Sequence, residues 1–362
     1  MKKLALVLGS LLVVGTAASA KEVVPAPVVV PEKVVEIVEK PVIVYRDREV
    51  APAWRPNGSV DIQYRWYGEA EKKTNQEDTD DDWAGDKRTN VGRLQGVSNI
   101  NFTENQTLNI RYRGYNTLRS ENSSNGSLDE LRLRHFYNFG NLGTSKVNLT
   151  SRVEYKTKAN DGGKFAEASL GFNFADYFFA NDYFKVSDFT VRPLYAHGWS
   201  GHGDNSSYNR YGLNLESTYE LPLGFSIELN LYGRYNRKLS DNRYSDGRKS
   251  DLNLGVEAYL YNTTNLYKNG SFGVDFTFEG GYDEYTIHRH KLVEKFKSTE
   301  KERASYELYA LPALQVSYKP TDFVKLYAAA GAEYRNWALT ANSEAKNWRW
   351  QPTAWAGMKV SF

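Results

Sequence analysis

The chain has 362 residues, enough for one large domain or two ordinary ones. Lysine and arginine (46) nearly balance aspartate and glutamate (44), so the chain lacks the basic excess that a nucleic-acid-binding protein concentrates on one face. Cysteine is absent, which excludes disulfides, zinc thiolate sites and cysteine nucleophiles.

The composition combines a negative mean hydropathy with many aromatic residues. Beyond the first residues, no apolar run approaches the ~18 residues of a membrane helix. Aromatic residues nevertheless make up 14%, with 26 tyrosines and 8 tryptophans. The wall of a membrane β-barrel accounts for both features, because only every second strand residue faces lipid and aromatic residues gather at the two interfaces.

The first residues have the pattern of a secretory signal. Two lysines precede an apolar stretch from Leu4 to Val14, and Ala18-Ser-Ala20 supplies the small residues of a cleavage site. We therefore predict a signal peptide over residues 1–20 and an exported mature chain beginning at Lys21.

Residues 21–57 are rich in valine, proline, glutamate and lysine. Six prolines between 25 and 56 exclude a long helix and a central strand, so we predict an extended periplasmic linker with room for a short helix over 32–39. Two interpretations are open for this linker: a disordered spacer, or a segment that binds the cell wall or a partner protomer.

An alternation of apolar and polar residues recurs over residues 58–362, and this period of two is typical of strands. In the last strand, Trp348 and Trp350 fall on one parity and Arg349 and Gln351 on the other. Aromatic residues at the ends of an apolar face suit a strand that crosses a membrane in a closed barrel. We predict an all-β antiparallel transmembrane β-barrel with strands near 60–66, 92–102, 108–114, 131–137, 147–155, 166–174, 188–197, 211–221, 225–236, 251–261, 272–282, 305–318, 323–335 and 347–362.

The connections alternate in length, as expected for a barrel with short periplasmic turns and long external loops. This alternation and the even count favour about fourteen strands. Residues 175–187 are an exception, an oversized connection where a turn is expected, so sixteen strands is the alternative. The short connections are 103–106, 222–224 and 319–322, and the long ones are 72–88, 238–249 and 285–303.

Charged residues on the inward parity are segregated along the chain. Arginines lie on the first five strands and carboxylates on strands eight to twelve, which are opposite each other in a ring of fourteen. This arrangement predicts a transverse field across a water-filled pore. The alternative is that the charges only keep the wall wet and pair with one another, and Asp61, Glu154 and Arg234 break the segregation. The predicted pore-lining residues are Arg65, Arg93, Arg111, Arg113, Arg132, Arg134, Arg152, Glu216, Glu228, Glu257, Asp275, Glu279 and Glu307.

The outward parity of the last three strands carries small residues where other strands carry leucine, phenylalanine or tyrosine. Small residues allow two membrane-embedded surfaces to approach closely. We predict a protomer contact here; the alternative is an ordinary lipid-facing surface. The residues are Ala310, Pro312, Ala328, Ala330, Ala332, Ala354 and Ala356.

Two other groups of residues are weak candidates for metal binding. The acidic run Glu77 to Asp82 has the spacing of a calcium loop, but Trp83 stands where the turn glycine is required, so a solvated loop or loose bridging of divalent cations is favoured. His288 and His290 offer two ligands without a nearby carboxylate, which makes a poor site. We predict no metal and no cofactor.

Several stretches resemble a known family, the fusobacterial major outer-membrane porin. They are EKPVIVYRDREVAPAWRPN (39–57), LRLRHFYNFG (131–140), LQVSYKPTDFVKLYAAAG (314–331) and the closing strand. The resemblance covers the whole chain and is weakest in the external loops. It implies a trimeric, voltage-sensitive general diffusion porin of the outer membrane that also serves as a surface adhesin.

The predicted function is passive diffusion of small hydrophilic solutes and ions across the outer membrane. The expected partners are outer-membrane lipid and lipopolysaccharide, two further copies of the chain, and the assembly machinery, which would engage the last strand ending in Phe362. One alternative is an adhesin or structural barrel that acts through its external loops. A barrel enzyme is the least favoured alternative, because none of the five histidines is paired recognisably with a nucleophile.

Overall fold

The computed structural model describes residues 30–38, 42–50, 54–71, 90–118, 130–158, 162–200, 207–290, 304–340 and 343–362. The predicted signal peptide and the acidic run at 77–82 lie outside these residues. No helix in the described ranges has the length and apolar character needed to cross a membrane.

The segment before the barrel contains a β-hairpin. Strand β1 (Val30–Val38) pairs antiparallel with β2 (Val42–Val50), and Val30 lies opposite Val50. The helix that the sequence allowed over 32–39 is therefore wrong. Valine and isoleucine are β-branched and favour strands, and both strands of a two-stranded sheet are edges, where the missing N–H of Pro31 is tolerated.

The rest of the described chain is built almost entirely from antiparallel strands. Fourteen of them form one closed sheet, and β9 (Ala180–Asn181) is a two-residue strand beside it. Each of the fourteen overlaps one of the predicted strands, so the predicted count is confirmed. They are β3 (Asn57–Tyr67), β4 (Val91–Thr103), β5 (Gln106–Thr117), β6 (Glu130–Asn141), β7 (Asn148–Lys158), β8 (Lys164–Asn173), β10 (Phe184–Trp199), β11 (Tyr208–Glu220), β12 (Phe225–Lys238), β13 (Ser250–Asn269), β14 (Phe272–His288), β15 (Ala304–Thr321), β16 (Val324–Leu339) and β17 (Ala345–Ser361).

The last strand closes the sheet into a ring. β17 pairs with β3, and the two ends are joined by backbone hydrogen bonds between Gly58 and Phe362, at 2.8 and 3.0 Å. Around the ring, each strand pairs with its neighbours in sequence, with β8 followed by β10. Closure leaves no unpaired sheet edge.

The connection over 175–187 contains no additional barrel strands. It consists of a 3-10 turn (Ala175–Tyr177) and the short β9, which pairs with the start of β10. Aromatic contacts fill this connection, including Phe178 against Phe189 with ring centroids 4.9 Å apart. The sixteen-strand alternative is therefore wrong, and the extra length is taken up by a folded turn.

The two faces of the sheet differ in exposure. On β3, Ile62 and Tyr64 are exposed, whereas Asp61, Gln63 and Arg65 are buried. Because the sheet is closed, its sheltered face is the inner one. The inner face is therefore largely polar, and the exposed outer face carries much of the apolar and aromatic surface.

Candidate pore-lining site

The seven predicted arginines all lie on the inner face. Six of them are buried, and Arg134 is partly buried. The register places Arg65 directly opposite Arg93, and Arg111 directly opposite Arg132. Like charges that face each other across a strand pair are destabilising. The opposed arginines on β3–β6 therefore cost free energy of folding that apolar side chains at the same positions would not.

The six predicted carboxylates also fall on inward positions, and tyrosine hydroxyls hold three of them. Tyr232 donates a hydrogen bond to Glu257 at 2.5 Å, and Tyr261 donates one to Glu228 at 3.0 Å. Tyr309 donates to the third, Glu279, at 2.5 Å. These tyrosines were not among the predicted pore-lining residues. The alternation of the sequence predicts that Tyr232 faces inward, but it does not indicate that Glu257 on the neighbouring strand is its partner. Glu216, Asp275 and Glu307 complete the set.

The two walls interact across the interior. Glu279 on β14 is close enough to Arg65 and Arg93, on β3 and β4, to interact with both electrostatically. Arg152 on β7 contacts Glu216 on β11 directly, with 3.1 Å between Nη1 and Oε1. The ring order also places β5 opposite β13, as predicted. The structure thus brings members of the two sets together.

Arginines and carboxylates are less completely segregated around the ring than the sequence pattern predicted. Carboxylates on β6, β7 and β8 pair with three predicted arginines: Glu130 with Arg111, Glu154 with Arg134 and Glu167 with Arg152. Strand parity identifies Glu167 as inward, whereas Glu130 lies one residue before the predicted strand. Other inward arginines sit among the carboxylates and were missed or treated as exceptions: Arg192, Arg234 and Arg335.

Four predicted arginines form no direct ion pair within the described part of the chain. Arg65, Arg93, Arg113 and Arg132 have no carboxylate within ion-pair distance there, and their neutral partners include Gln95 for the Arg113 Nε, at 2.8 Å. The Arg132 guanidinium likewise donates to the Asn109 side chain, at 3.1 Å. Net positive charge is therefore concentrated on β3–β6.

The small outward residues form one continuous patch. Ala328 lies directly opposite Ala356, and Ala330 lies opposite Ala354. Ala330 also faces Leu314 on the other side. Ala310, Pro312 and Ala332 complete the patch on β15 and β16. The structure thus assembles the predicted surface, and its role as a protomer contact stays a prediction.

At the long-loop end of β13 and β14, the structure corrects one expectation. The sequence suggested that His288 and His290 lack a nearby carboxylate, but Asp251 lies within 3.1 Å of both imidazoles. Tyr244, in the loop before β13, stacks on His290 at 5.0 Å. Burial, followed by the nearby Asp251 carboxylate, raises the pKa of Tyr244 to about 12. Most of the predicted loop at 285–303 lies outside the described residues.

No protein-family model and no curated protein matches the chain. Solved structures similar to it include the outer membrane channel DcaP of Acinetobacter baumannii (12% identity, 85% of this chain and 96% of that chain, TM-score 0.37). Others are OmpT of Vibrio cholerae (9% identity, 85% and 97%, TM-score 0.35) and the NanC porin (10% identity, 84% and 100%, TM-score 0.34). The fold assignment rests on the strand pairing that closes the ring.

Proposed function

We propose that this chain is an outer-membrane porin through which small hydrophilic solutes and ions diffuse passively. The observation that carries the proposal is the division between the two faces of one closed ring. Most charged side chains of the strands lie on the sheltered inner face, and the exposed outer face carries leucine, valine and many aromatic side chains. In a water-soluble barrel of this size, the charged side chains would face outward and the apolar side chains would fill the interior.

The outer face has the properties of a surface in contact with lipid. Leu94, Val153, Leu213 and Leu254 are exposed on this face. An arginine or lysine at mid-depth on a lipid face costs about 2–4 kcal/mol, which explains why the strand arginines occupy the inner face. Trp350 belongs to the aromatic residues that flank the apolar belt, as at the interfaces of membrane barrels.

The inner face supports a polarised lumen. The net positive charge of β3–β6 attracts anions, and the carboxylates held by tyrosines on the opposite wall attract cations. At physiological salt the screening length is about 8 Å, so a solute close to either wall experiences its charge. Walls of charged side chains select solutes in this way. Dipolar solutes are oriented by the field, and apolar solutes gain nothing by leaving bulk water.

Three further features belong to the same proposal. The resemblance to the fusobacterial major porin supports a trimer, and the small-residue patch on β15–β17 is the surface we assign to the protomer contact. Outer-membrane lipid and lipopolysaccharide would cover the remaining outer face. Export through the signal at residues 1–20 and assembly through the last strand remain predictions from the sequence.

The proposal is tested by single-channel recording of the purified chain in planar bilayers. We expect stepwise ion conductance, and in a salt gradient we expect the reversal potential to move towards cation preference when Arg113 and Arg132 are both replaced by glutamine. The control is Lys185→Gln, which alters an exposed pair with Glu220 and should leave selectivity unchanged. Folded protein that inserts without conducting would refute the pore. Conductance with an unchanged reversal potential would refute the polarised lumen only.

A further inference from the structure

Three potential metal ligands converge where β13 begins and β14 ends. His288 lies opposite Asn253 in the antiparallel pair of β13 and β14. Two residues further along each strand, in opposite directions, this register brings Asp251 close to His290. The Nδ1 atom of His288 lies 2.8 Å from Oδ2 of Asp251, and Nδ1 of His290 lies 3.1 Å from Oδ1. One ligand atom from each of the three residues lies within 4.8 Å of the other two.

These separations are close to those of a metal site. In a tetrahedral zinc site with ligands about 2.0–2.2 Å from the metal, neighbouring ligand atoms are about 3.4 Å apart. The two nitrogen-to-oxygen distances here are slightly shorter, so a small rotation of the Asp251 carboxylate opens the required space. Three protein ligands leave the fourth position for water.

The facing atoms of the cluster need either a proton or a metal ion between them. Asp251 is almost fully buried, with 1% of its side chain exposed. A carboxylate oxygen and the lone pair of a neutral imidazole repel each other, so each Nδ1 facing Asp251 must carry a proton or bind a metal. The Nδ1 atom of His290 is buried and makes no hydrogen bond in the structure, although it faces Oδ1.

Neighbouring groups hold the three residues in place. The backbone N–H of His290 donates to Oδ1 of Asp251 at 3.1 Å, and the His290 ring stacks on Tyr244. Arg289 lies between the histidines in sequence, but its guanidinium donates to the backbone carbonyl of Ser250. Partners of this kind orient metal ligands and fix their geometry.

We propose that Asp251, His288 and His290 bind one divalent transition-metal ion of the zinc class. Two imidazoles and one carboxylate suit zinc, nickel, cobalt or copper, whereas calcium and magnesium prefer larger sets of oxygen ligands. The ion joins β13 to β14 at the long-loop end of the barrel. It also holds His290 in place against Tyr244 of the loop at 239–249.

The test uses the full barrel without an affinity tag, stripped of metal and refolded in detergent. Zinc binding is measured by calorimetry in excess calcium and magnesium, and cobalt binding by the visible absorption of a tetrahedral site. The variants are Asp251→Asn, His288→Gln and His290→Gln, and the control is His135→Gln on β6. Far-UV circular dichroism and heat-modifiable gel migration confirm that each variant is folded.

We expect one equivalent of zinc and a tetrahedral cobalt spectrum for the native chain and for His135→Gln. Loss of an outer partner commonly lowers metal affinity about 10–100-fold, so loss of a ligand should lower it at least that much in each cluster variant. Absence of binding by the native chain would overturn the proposal. Equal binding by a folded His288→Gln or His290→Gln variant would also overturn it.

Discussion

Individual charges on the inner face differ in how strongly they depend on their partners. Arg335 is fully buried and contacts two carboxylates, Glu307 and Glu333, with 2.6 Å between its Nε and the Glu333 carboxylate. Lys185 and Glu220 also form an ion pair, at 3.0 Å, but both side chains are more than 40% exposed. The charges of the buried cluster are removed from water and interact strongly with one another, whereas water screens the exposed pair.

Replacing Arg335 with alanine leaves two carboxylates without their shared partner. We expect the free energy of unfolding to fall by about 3–5 kcal/mol, the usual cost of breaking a buried ion pair from one side. Lys185→Ala should cost less than about 1 kcal/mol. Urea unfolding in lipid vesicles, followed by tryptophan fluorescence, measures both. Similar losses for the two variants would show that Arg335 is as well hydrated as Lys185.

At the scale of the element, alternation predicts where a strand runs but not where it stops. Strand β4 was predicted at 92–102 and spans Val91–Thr103, whereas β13 was predicted to end at 261 and continues to Asn269. Within the apolar belt, the two faces of a strand meet different environments and the sequence alternates. Beyond the belt both faces meet polar surroundings, so the period of two fades while backbone pairing continues.

Pairing partners were harder to predict than inward positions. Parity placed Asp251 on its strand, whereas His288 fell in the predicted loop at 285–303; their contact depends on the length of β14 and on its register against β13. That register includes irregularities between Val256 and Ala258 and between Asn265 and Tyr267. A shift of one residue moves every side chain to the other face. No local pattern in the sequence specifies these shifts, so the carboxylate beside the histidines was missed.

The patch of small residues on β15–β17 gives a prediction for these elements. Replacing Ala330 and Ala354 together with tryptophan puts two large rings at directly opposite positions. If this surface is the protomer contact, the oligomer should be lost on mild native gels while the barrel stays folded, because backbones can no longer approach closely. The matched control is Leu213→Trp on β11, at another outward position. An oligomer that survives the double substitution would exclude this patch.

For the whole molecule, the hydrophobic effect acts in the opposite sense to that in a water-soluble protein. In the proposed membrane setting, lipid stabilises the apolar and aromatic outer face, and the backbone is satisfied because the ring has no free edge. The interior is then free to hold charged residues, provided that partners or water solvate them. Ion pairs and tyrosine hydroxyls supply part of this solvation. The arginines without a direct ion pair on β3–β6 are buried, and they depend on neutral partners such as the Gln95 and Asn109 side chains.

Single-cysteine labelling tests most directly whether the inner face meets water and the outer face meets lipid. The native chain contains no cysteine to interfere. Cysteine is placed at two inward positions, Arg134 and Glu216, and at two outward positions, Val153 and Leu213. Each variant is reconstituted in lipid vesicles and treated with a charged thiol reagent. We predict rapid labelling at the inward positions and protection at the outward ones until detergent is added. Labelling of the outward set, or protected inward cysteines in a folded barrel, would contradict a water-filled lumen enclosed by a lipid-facing wall.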